Sequence, residues 1–544
     1  MNGLMMDVPL TIPSILKRAA QVYPEKEIVS RWSDGSITRT NYGTLYKRVV
    51  RLMNVLRDLG VQPGDRVATS AWNSSHHLEL YFAIPSLGAV LHTVNIRLFP
   101  DQIRFIVNHA EDRFVFLDRS LAGLYAELQP SLTTVERYIL MDDRGTPPTT
   151  MPSPASDYET LLASASDEEY FPPLEENMAA GLCYTSGTTG EPKGTLYSHR
   201  ATYLHAMGAC MVDSLGISEK ETVMSVVPMF HANAWGLPYA CAMTGAKQVF
   251  PGPHLLGGAI ASLMEAEQVT LSAGVPTVWN ILYQHLKQHS QKLTSLRVII
   301  SGGSAIPRKL IADYEHDLGV EVVCVWGMTE LSPIGTVARL RGAMRNLPAE
   351  KQLAIRATQG ISVPCVEIAI LNEEGESLPW DGESTGELAS KGPWVASGYY
   401  NTGKPNTALT KDGWFLTGDV AAITPYGYVE ITDRKKDMIK SRGEWISSID
   451  MENLAVEHPN VREAAVVGRH DPVRDEVPVV AVVLNEPRPQ EEIAREMRDL
   501  LATQFANWQL PKLSDIRIVE ALPKTSVGKL DKKVLRVQIL NSET

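Results

Sequence analysis

From about residue 44 to 330 the apolar positions switch between two spacings. Helical stretches alternate with short β-branched runs: RVATSAW at 66–72, AVLHTV at 89–94, FVFLD at 114–118, VIIS at 298–301 and EVVCVWG at 321–327. That alternation predicts an α/β fold. Ala179 to Tyr184 reads as a further strand, whereas 142–156 (DDRGTPPTTMPSPAS) follows neither spacing and is rich in Pro, Thr and Ser, so it is expected as a surface connection. From 360 to 432 helices thin out and strands bounded by glycine take over, in VEIAIL at 366–371, GELAS at 386–390 and YVEIT at 428–432. A mostly β section therefore follows the α/β core. Beyond the charged run DRKKD at 433–437 the order becomes helix, strand, strand, helix, strand, helix, with strands at 463–468, 477–484 and 516–522 and a helix from about Gln490 to Gln504. This last part has the size of a small α+β domain of about 110 residues. No internal repeat or heptad pattern interrupts the reading.

The length of 544 residues agrees, since one hydrophobic core stops growing well before that. With 44% hydrophobic and 21% charged residues the chain is an ordinary globular one. A formal net charge of -12 argues against a general nucleic-acid or anionic-membrane binder, which needs a basic face. No run has the eighteen or so apolar residues of a membrane span, and Asp7, Lys17 and Arg18 interrupt the N-terminus before a signal-peptide core can form. The expected location is the cytoplasm. Cys183, Cys210, Cys241, Cys324 and Cys365 are widely spaced and never form C-x-x-C, so they are expected as buried thiols in a reducing compartment.

Chemistry concentrates first in YTSGTTGEPKG, Tyr184 to Gly194. Thr185, Ser186, Gly187, Thr188, Thr189, Gly190 and Lys193 can wrap backbone N–H groups, hydroxyls and an ammonium around phosphate oxygens. The Walker pattern does not apply, because Lys193 follows Pro192 and precedes Gly194, leaving no metal-binding hydroxyl after the lysine.

This stretch resembles the phosphate loop of the adenylate-forming superfamily, which holds acyl-CoA synthetases, luciferases and the adenylation domains of peptide synthetases. The likeness recurs in order: PMFHANAW at 228–235, GGSAIP at 302–307, WGMTE at 326–330, WFLTGD at 414–419, DRKKDMIKSRGEWIS at 433–447 and PKTSVGK at 523–529. The resemblance implies a large N-terminal α/β domain of several subdomains with a β section, residues 1–432, hinged through 433–438 to a small, mobile C-terminal α+β domain, 439–544. It implies ATP and coenzyme A as co-substrates and Mg²⁺ as the metal, held by Glu330 with Thr185. Gly303, Ser304 and Ala305 would lie against the adenine face, and Val325, Trp326, Gly327, Met328 and Thr329 would bind the cofactor, Trp326 keeping an aromatic face for stacking. Asp419 follows a strand-like WFLTG run and would accept the ribose hydroxyls, and Arg434 would add a ribose or phosphate contact. His231 would lie near the substrate carboxylate or the α-phosphate. Trp235, four residues on, could share a helical face with it and matches a gating Trp at the mouth of the acyl channel. Lys529 would bridge the carboxylate and the α-phosphate; Lys436 would be the hinge, and Lys440, Glu444 and Trp445 would face the site once the small domain has turned. Two residues depart from the pattern. Trp326 stands where most members have Tyr, and Arg442 where close relatives have Gly.

The implied chemistry has two steps, adenylation of a carboxylic acid and then transfer of the acyl group to CoA. Ala232, Trp235, Gly236, Leu237, Val275, Thr277, Val278, Ile334 and Gly335, at positions matching the acyl channel, include no cation, which favours an apolar tail. WGMTELSP and GEWISS are most similar to bacterial medium- and long-chain fatty acid:CoA ligases and to methylmercaptopropionate:CoA ligases, and aryl or other short acids stay open. Partners are therefore small molecules, with no nucleic acid and no integral membrane segment, and a homodimer is allowed. A rival is an adenylating enzyme that loads a carrier protein. With only residues 530–544 after Lys529, that loading would be in trans. Luciferase-like oxidation and a binding protein without catalysis are more distant alternatives.

Overall fold

The computed structural model describes residues 1, 3–185, 192–403, 408–434, 437–441, 444–471, 474–525 and 530–541, without the side chains of 444, 445, 540 and 541. Two large sheets dominate. In the first, seven strands run in the order Ala155–Asp157, Arg137–Met141, Phe114–Asp118, Arg66–Ser70, Val90–Thr93, Ala179–Tyr184 and Gly194–Ser198, all parallel except the last pair. That last pair is a hairpin, and its connection is the glycine-rich loop. The second has nine strands, with Leu271–Gly274, Val298–Ser301 and Glu321–Gly327 in parallel at its centre and the hairpin Glu27–Arg31/Ile37–Asn41 at one end. The predicted α/β fold is therefore present, and it starts earlier than residue 44, with the helix Ile12–Val22 and this edge hairpin.

The sheets share one core. Val67, Phe114 and Phe116 of the first and Val223, Leu271, Val298 and Ile300 of the second belong to one apolar cluster with the helices Ile12–Val22, Tyr42–Asp58, Ser75–Ser86, His199–Cys210 and Leu237–Thr244. Ser75–Ser86 is buried on every side except at His76, as a helix lodged in an interior must be. Asn41 caps Tyr42–Asp58 through Thr44, and Ser74 caps Ser75–Ser86 through His77, so each start is satisfied by a side-chain oxygen.

The β section is a four-stranded antiparallel sheet of Glu367–Leu371, Thr385–Lys391, Phe415–Ile423 and Val429–Arg434. Beyond it the C-terminal part carries a five-stranded sheet. The long pair Val461–Asp471/Asp475–Leu484 forms its spine, and the hairpin Ile439–Ser441/Glu444–Ile446 and the strand Ile516–Ile518 join it. The expected helix and strand order holds here, but the helix spans Gln490–Leu501 and the last strand is three residues, and the first hairpin was not anticipated. Cys183, Cys241 and Cys324 are buried as expected; Cys210 is only half-buried and Cys365 is exposed, a correction to the reading of all five as core thiols. Among the described residues no helix is long and apolar enough to cross a membrane.

Candidate active site

A cleft of about 1870 Å³ opens where the strand ends of both large sheets meet the four-stranded sheet and the C-terminal part. Its walls come from every motif singled out in the sequence for which side chains are described. Thr185, Lys193, His231, Ala232, Trp235, Gly303, Ser304, Ala305, Val325, Trp326, Gly327, Met328, Thr329, Glu330, Ile334 and Arg434 all line it. Ser186, Gly187, Thr188, Thr189, Gly190, Lys436, Arg442 and Lys529 lie outside the described residues, as does the side chain of Trp445.

At one end, the hairpin that carries the glycine-rich loop is closed by two contacts: the Thr185 N–H donates to the Lys193 carbonyl (2.9 Å) and the Lys193 N–H to Thr185 Oγ1 (3.3 Å). The Lys193 ammonium then sits over the Tyr399 ring, 4.9 Å from its centre. Tyr399 in turn donates its hydroxyl to Glu330 Oε1 at 2.7 Å. Glu330 is buried, on a single turn Thr329–Leu331, and the Ala396 N–H holds its carbonyl. Burial and the adjoining Glu330 charge push the Tyr399 phenol well above its usual range. Thus Thr185, Lys193, Tyr399 and Glu330 form one string of contacts, in which Tyr399 was not foreseen. The signal available was its place in SGYYN, between two of the motifs.

Three further side chains are linked beside the cleft, of which Trp326 and Arg434 line it and Asp419 is buried and does not. Asp419 faces Arg434 across the antiparallel pair Phe415–Ile423/Val429–Arg434, so their side chains emerge on one face. Arg434 Nε meets Asp419 Oδ1 at 2.5 Å, and the Trp326 indole N–H donates to Oδ2 at 2.9 Å. Asp419 lies inside the strand Phe415–Ile423 and not after it, a correction to its expected position. Beyond the aromatic face expected of Trp326, its N–H orients the Asp419 carboxylate. Gly327, next to it, is required by space: a Cβ there would lie 1.9 Å from the Pro333 carbonyl oxygen.

His231 and Trp235 do not share a helical face. Ala232, Asn233, Ala234 and Trp235 all have positive φ, from 42° to 56°, so the chain makes a left-handed turn between them. Trp235 is nearly buried, its ring end over Gly302. Of the expected acyl wall, Ala232, Trp235, Thr277 and Ile334 reach the cleft; Gly236, Leu237, Val275, Val278 and Gly335 do not. Gly236 is covered by the His205 ring, and Val275 ends a strand connection as the N-cap of helix Pro276–Gln288. Two unforeseen residues set this wall. His205 Nε2 accepts the Ile334 N–H (3.3 Å), and the Trp394 indole donates to the Ile334 carbonyl (3.1 Å). Burial lowers His205 to about 3, so it is a neutral acceptor.

The C-terminal part closes the cleft with Lys524 and Thr525, from the start of the PKTSVGK segment, and with Leu530, Asp531, Lys532 and Lys533, which follow it. Ser448 donates its N–H (2.7 Å) and hydroxyl (2.5 Å) to Asp433 Oδ2, Lys532 contacts Ser448 and Glu452, and Arg536 pairs with Asp437. Lys440 lies away from the cleft, its N–H donating to Glu476.

The donor set suits a hard cation only in one form. Among the described residues no three His, Cys, Asp or Glu side chains converge. One carboxylate and one hydroxyl fit a magnesium ion whose remaining ligands are phosphate and water oxygens.

Comparison with known proteins gives a consistent picture. The family described as AMP-binding enzyme matches residues 16–400, and the AMP-binding enzyme C-terminal domain matches 450–529. A long-chain-fatty-acid–CoA ligase of Thermus thermophilus is 45% identical over 539 residues, 99% of this chain and 97% of that protein. A 3-methylmercaptopropionyl-CoA ligase of Ruegeria lacuscaerulensis is 43% identical over 544 residues, 100% of both chains. The crystal structure of an anthranilate CoA ligase in complex with anthranoyl-AMP superposes with a TM-score of 0.87 at 23% identity, covering 99% of each chain, which bears on the fold alone.

Proposed function

The chain belongs to the AMP-binding enzyme family, and from that premise we propose that it is an AMP-forming acid:CoA ligase for a medium- or long-chain fatty acid. The observation that carries this reading is the single cleft. A phosphate end built on Thr185, Lys193 and Glu330, a ribose side of Arg434 and Trp326 with the buried Asp419 bonded to both, and the small apolar surfaces of Ala232, Trp235 and Ile334 meet at it.

In the first step a carboxylate oxygen attacks the α-phosphorus of ATP, and the bond to the β-phosphate oxygen breaks to release pyrophosphate. Lys193 and the loop hydroxyls and amides of 185–190 receive the phosphates. Glu330 and Thr185 would hold Mg²⁺, which neutralises charge on the leaving pyrophosphate when bound. Asp419 has about four lone-pair sites, so it can accept ribose hydroxyls while bonded to Trp326 and Arg434. Gly303, Ser304 and Ala305 admit the adenine closely, with Trp326 as its aromatic neighbour. His231 contacts the carboxylate or the α-phosphate. Lys529 bridges these two anions, lowering the repulsion between them, a role supported by the segments on either side of it, which line the cleft. In the second step the CoA thiol attacks the acyl carbon and AMP leaves.

A large domain of 1–432, a hinge of 433–438 and a small domain of 439–544 are supported by the two family matches, which end at 400 and begin at 450, and by the sheet break between Arg434 and Ile439. Lys440 then belongs to the second orientation, as its place outside the cleft suggests. The near-equal identity to the 3-methylmercaptopropionyl-CoA ligase supports a second reading, a short thioether acid. The test is pyrophosphate release with acids from acetate to palmitate, aryl and thioether acids included, with and without CoA. Acid-dependent release with CoA thioester formation is expected. No acid dependence, or release with no thioester from free CoA, would sink the proposal.

A further inference from the structure

Four consecutive non-glycine residues in left-handed backbone are costly, because each brings Cβ against its own carbonyl oxygen. Among the described residues Ala232–Trp235 is the stretch where this happens, with φ of 42°, 52°, 50° and 56°. Alanine and tryptophan gain nothing from this conformation, so contacts must hold the turn in place. Asn233 supplies them. Its side chain is buried, and Oδ1 accepts from Cys183 Sγ (3.3 Å) and from Thr93 Oγ1 (3.4 Å). The backbone amides of Ala232 and Asn233 also face the Cys183 thiol. Cys183 lies on the strand Ala179–Tyr184, two residues before Thr185, and Thr93 ends the neighbouring parallel strand. At the far end of the turn the His205 ring leaves no room beyond a hydrogen on Gly236, where a Cβ would lie 2.5 Å from Nδ1.

We propose that Asn233 is a positioning residue that mounts the His231–Trp235 turn on the strand feeding the nucleotide loop, so that selection of the acid and alignment of its carboxylate share one anchor. This rests on the acid:CoA ligase reading above. Asn233 does not line the cleft, and its effect passes through Trp235 and His231.

The test compares Asn233→Gly with Asn233→Ala in the full chain. Glycine tolerates the left-handed conformation but lacks the amide, whereas alanine loses both. Amide hydrogen exchange of the protein alone is read over 229–237, and kcat/KM is measured for acids of increasing length together with KM for ATP. Faster exchange confined to that segment in both variants is expected, with kcat/KM for the preferred acid about 10-fold lower, as the loss of buried hydrogen bonds to a mounting group produces, and with a flattened ranking of acids. A purely structural residue would lower the unfolding temperature without changing that ranking. If Asn233→Gly matches the wild type in exchange and ranking, the side-chain mount is refuted. Should the Asn233 variants fail to fold, Thr93→Val removes one donor at nearly constant shape and must shift the ranking in the same direction; an unchanged ranking then refutes the mount. A wild type without acid-dependent pyrophosphate release overturns the functional reading instead, while the exchange data still decide the mount.

Discussion

Glu330, Asp419 and His231 could be singled out in the sequence because each sits in a short run that resembles a motif of the adenylate-forming superfamily. The structure puts Glu330 and His231 on the cleft and buries Asp419 against Trp326 and Arg434. Tyr399, Trp394, His205 and Asn233 could not be singled out, because they act on the orientation of other side chains and their own surroundings in the sequence are unremarkable. Tyr399 shows the difference. Its hydroxyl fixes one oxygen of Glu330 and its face receives Lys193, so it joins two residues 137 positions apart, at 193 and 330. Removing the carboxylate should strike adenylation: Glu330→Ala is expected to slow acyl-adenylate formation about 100-fold or more, the scale seen when a positioned charge is lost from a transition state. A folded mutant with near-normal pyrophosphate release would remove Glu330 from the mechanism. Tyr399→Phe keeps the ring under Lys193 and loses only the hydroxyl, so a smaller loss of about 10-fold is expected. Pyrophosphate release measured across Mg²⁺ concentrations checks it, and an unchanged rate would mean that the ring under Lys193, not the hydroxyl on Glu330, is what matters.

Most strands were legible because β-branched runs such as FVFLD and VIIS are buried on both faces and need no partner pattern to be recognised. The edge hairpin Glu27–Arg31/Ile37–Asn41 escaped because its outer strand, ITRTN, is half polar and stands at the rim. The left-handed turn at 232–235 escaped for another reason: a four-residue spacing predicts a shared face only if both residues lie on one continuous helix, and His231 is extended, outside the turn. At this scale Trp235 is a lever on a strained mount, so Trp235→Ala should change the ranking of acids by chain length more than KM for ATP. Equal weakening of every acid together with collapse of ATP binding would make it a packing residue. Two helices also carry buried imidazoles. Burial lowers His77 and His199 from 6.5 to about 4 and His205 to about 3. Between those values and 6.5 the unfolded chain binds more protons than the native one, so stability falls as pH drops below 6.5, by up to about 1.4 kcal/mol per unit for each group. The unfolding temperature should therefore decline from pH 7 to pH 5, where surface carboxylates are still ionised. A flat profile across that range would show that these histidines are solvated.

For the molecule as a whole, a large N-terminal part and a smaller C-terminal one were legible in the change of pattern along the chain, and the family matches at 16–400 and 450–529 agree, but the way the parts meet was not legible. Residues far apart in sequence close the cleft together: Asp433, at the end of the four-stranded sheet, takes two hydrogen bonds from Ser448, and Lys532 from the last helix binds Ser448 and Glu452. This arrangement brings the segments around PKTSVGK to the cleft and leaves Lys440 outside it. On the proposed function Lys529 would act in one orientation and Lys440 in a second, one site serving two reactions. If Lys529 serves adenylation alone, Lys529→Ala should make no acyl-AMP from acid and ATP yet still convert supplied acyl-AMP and CoA into the thioester. Lys436→Pro should do the reverse, because proline fixes φ near -65° and removes a backbone donor where the chain has to turn. It would still release pyrophosphate and would fail at thioester formation. Each half-reaction is followed separately, with folding confirmed by thermal unfolding. Opposite losses in the two variants require two orientations of the C-terminal part, whereas equal loss of both steps in each would leave one fixed site and no alternation.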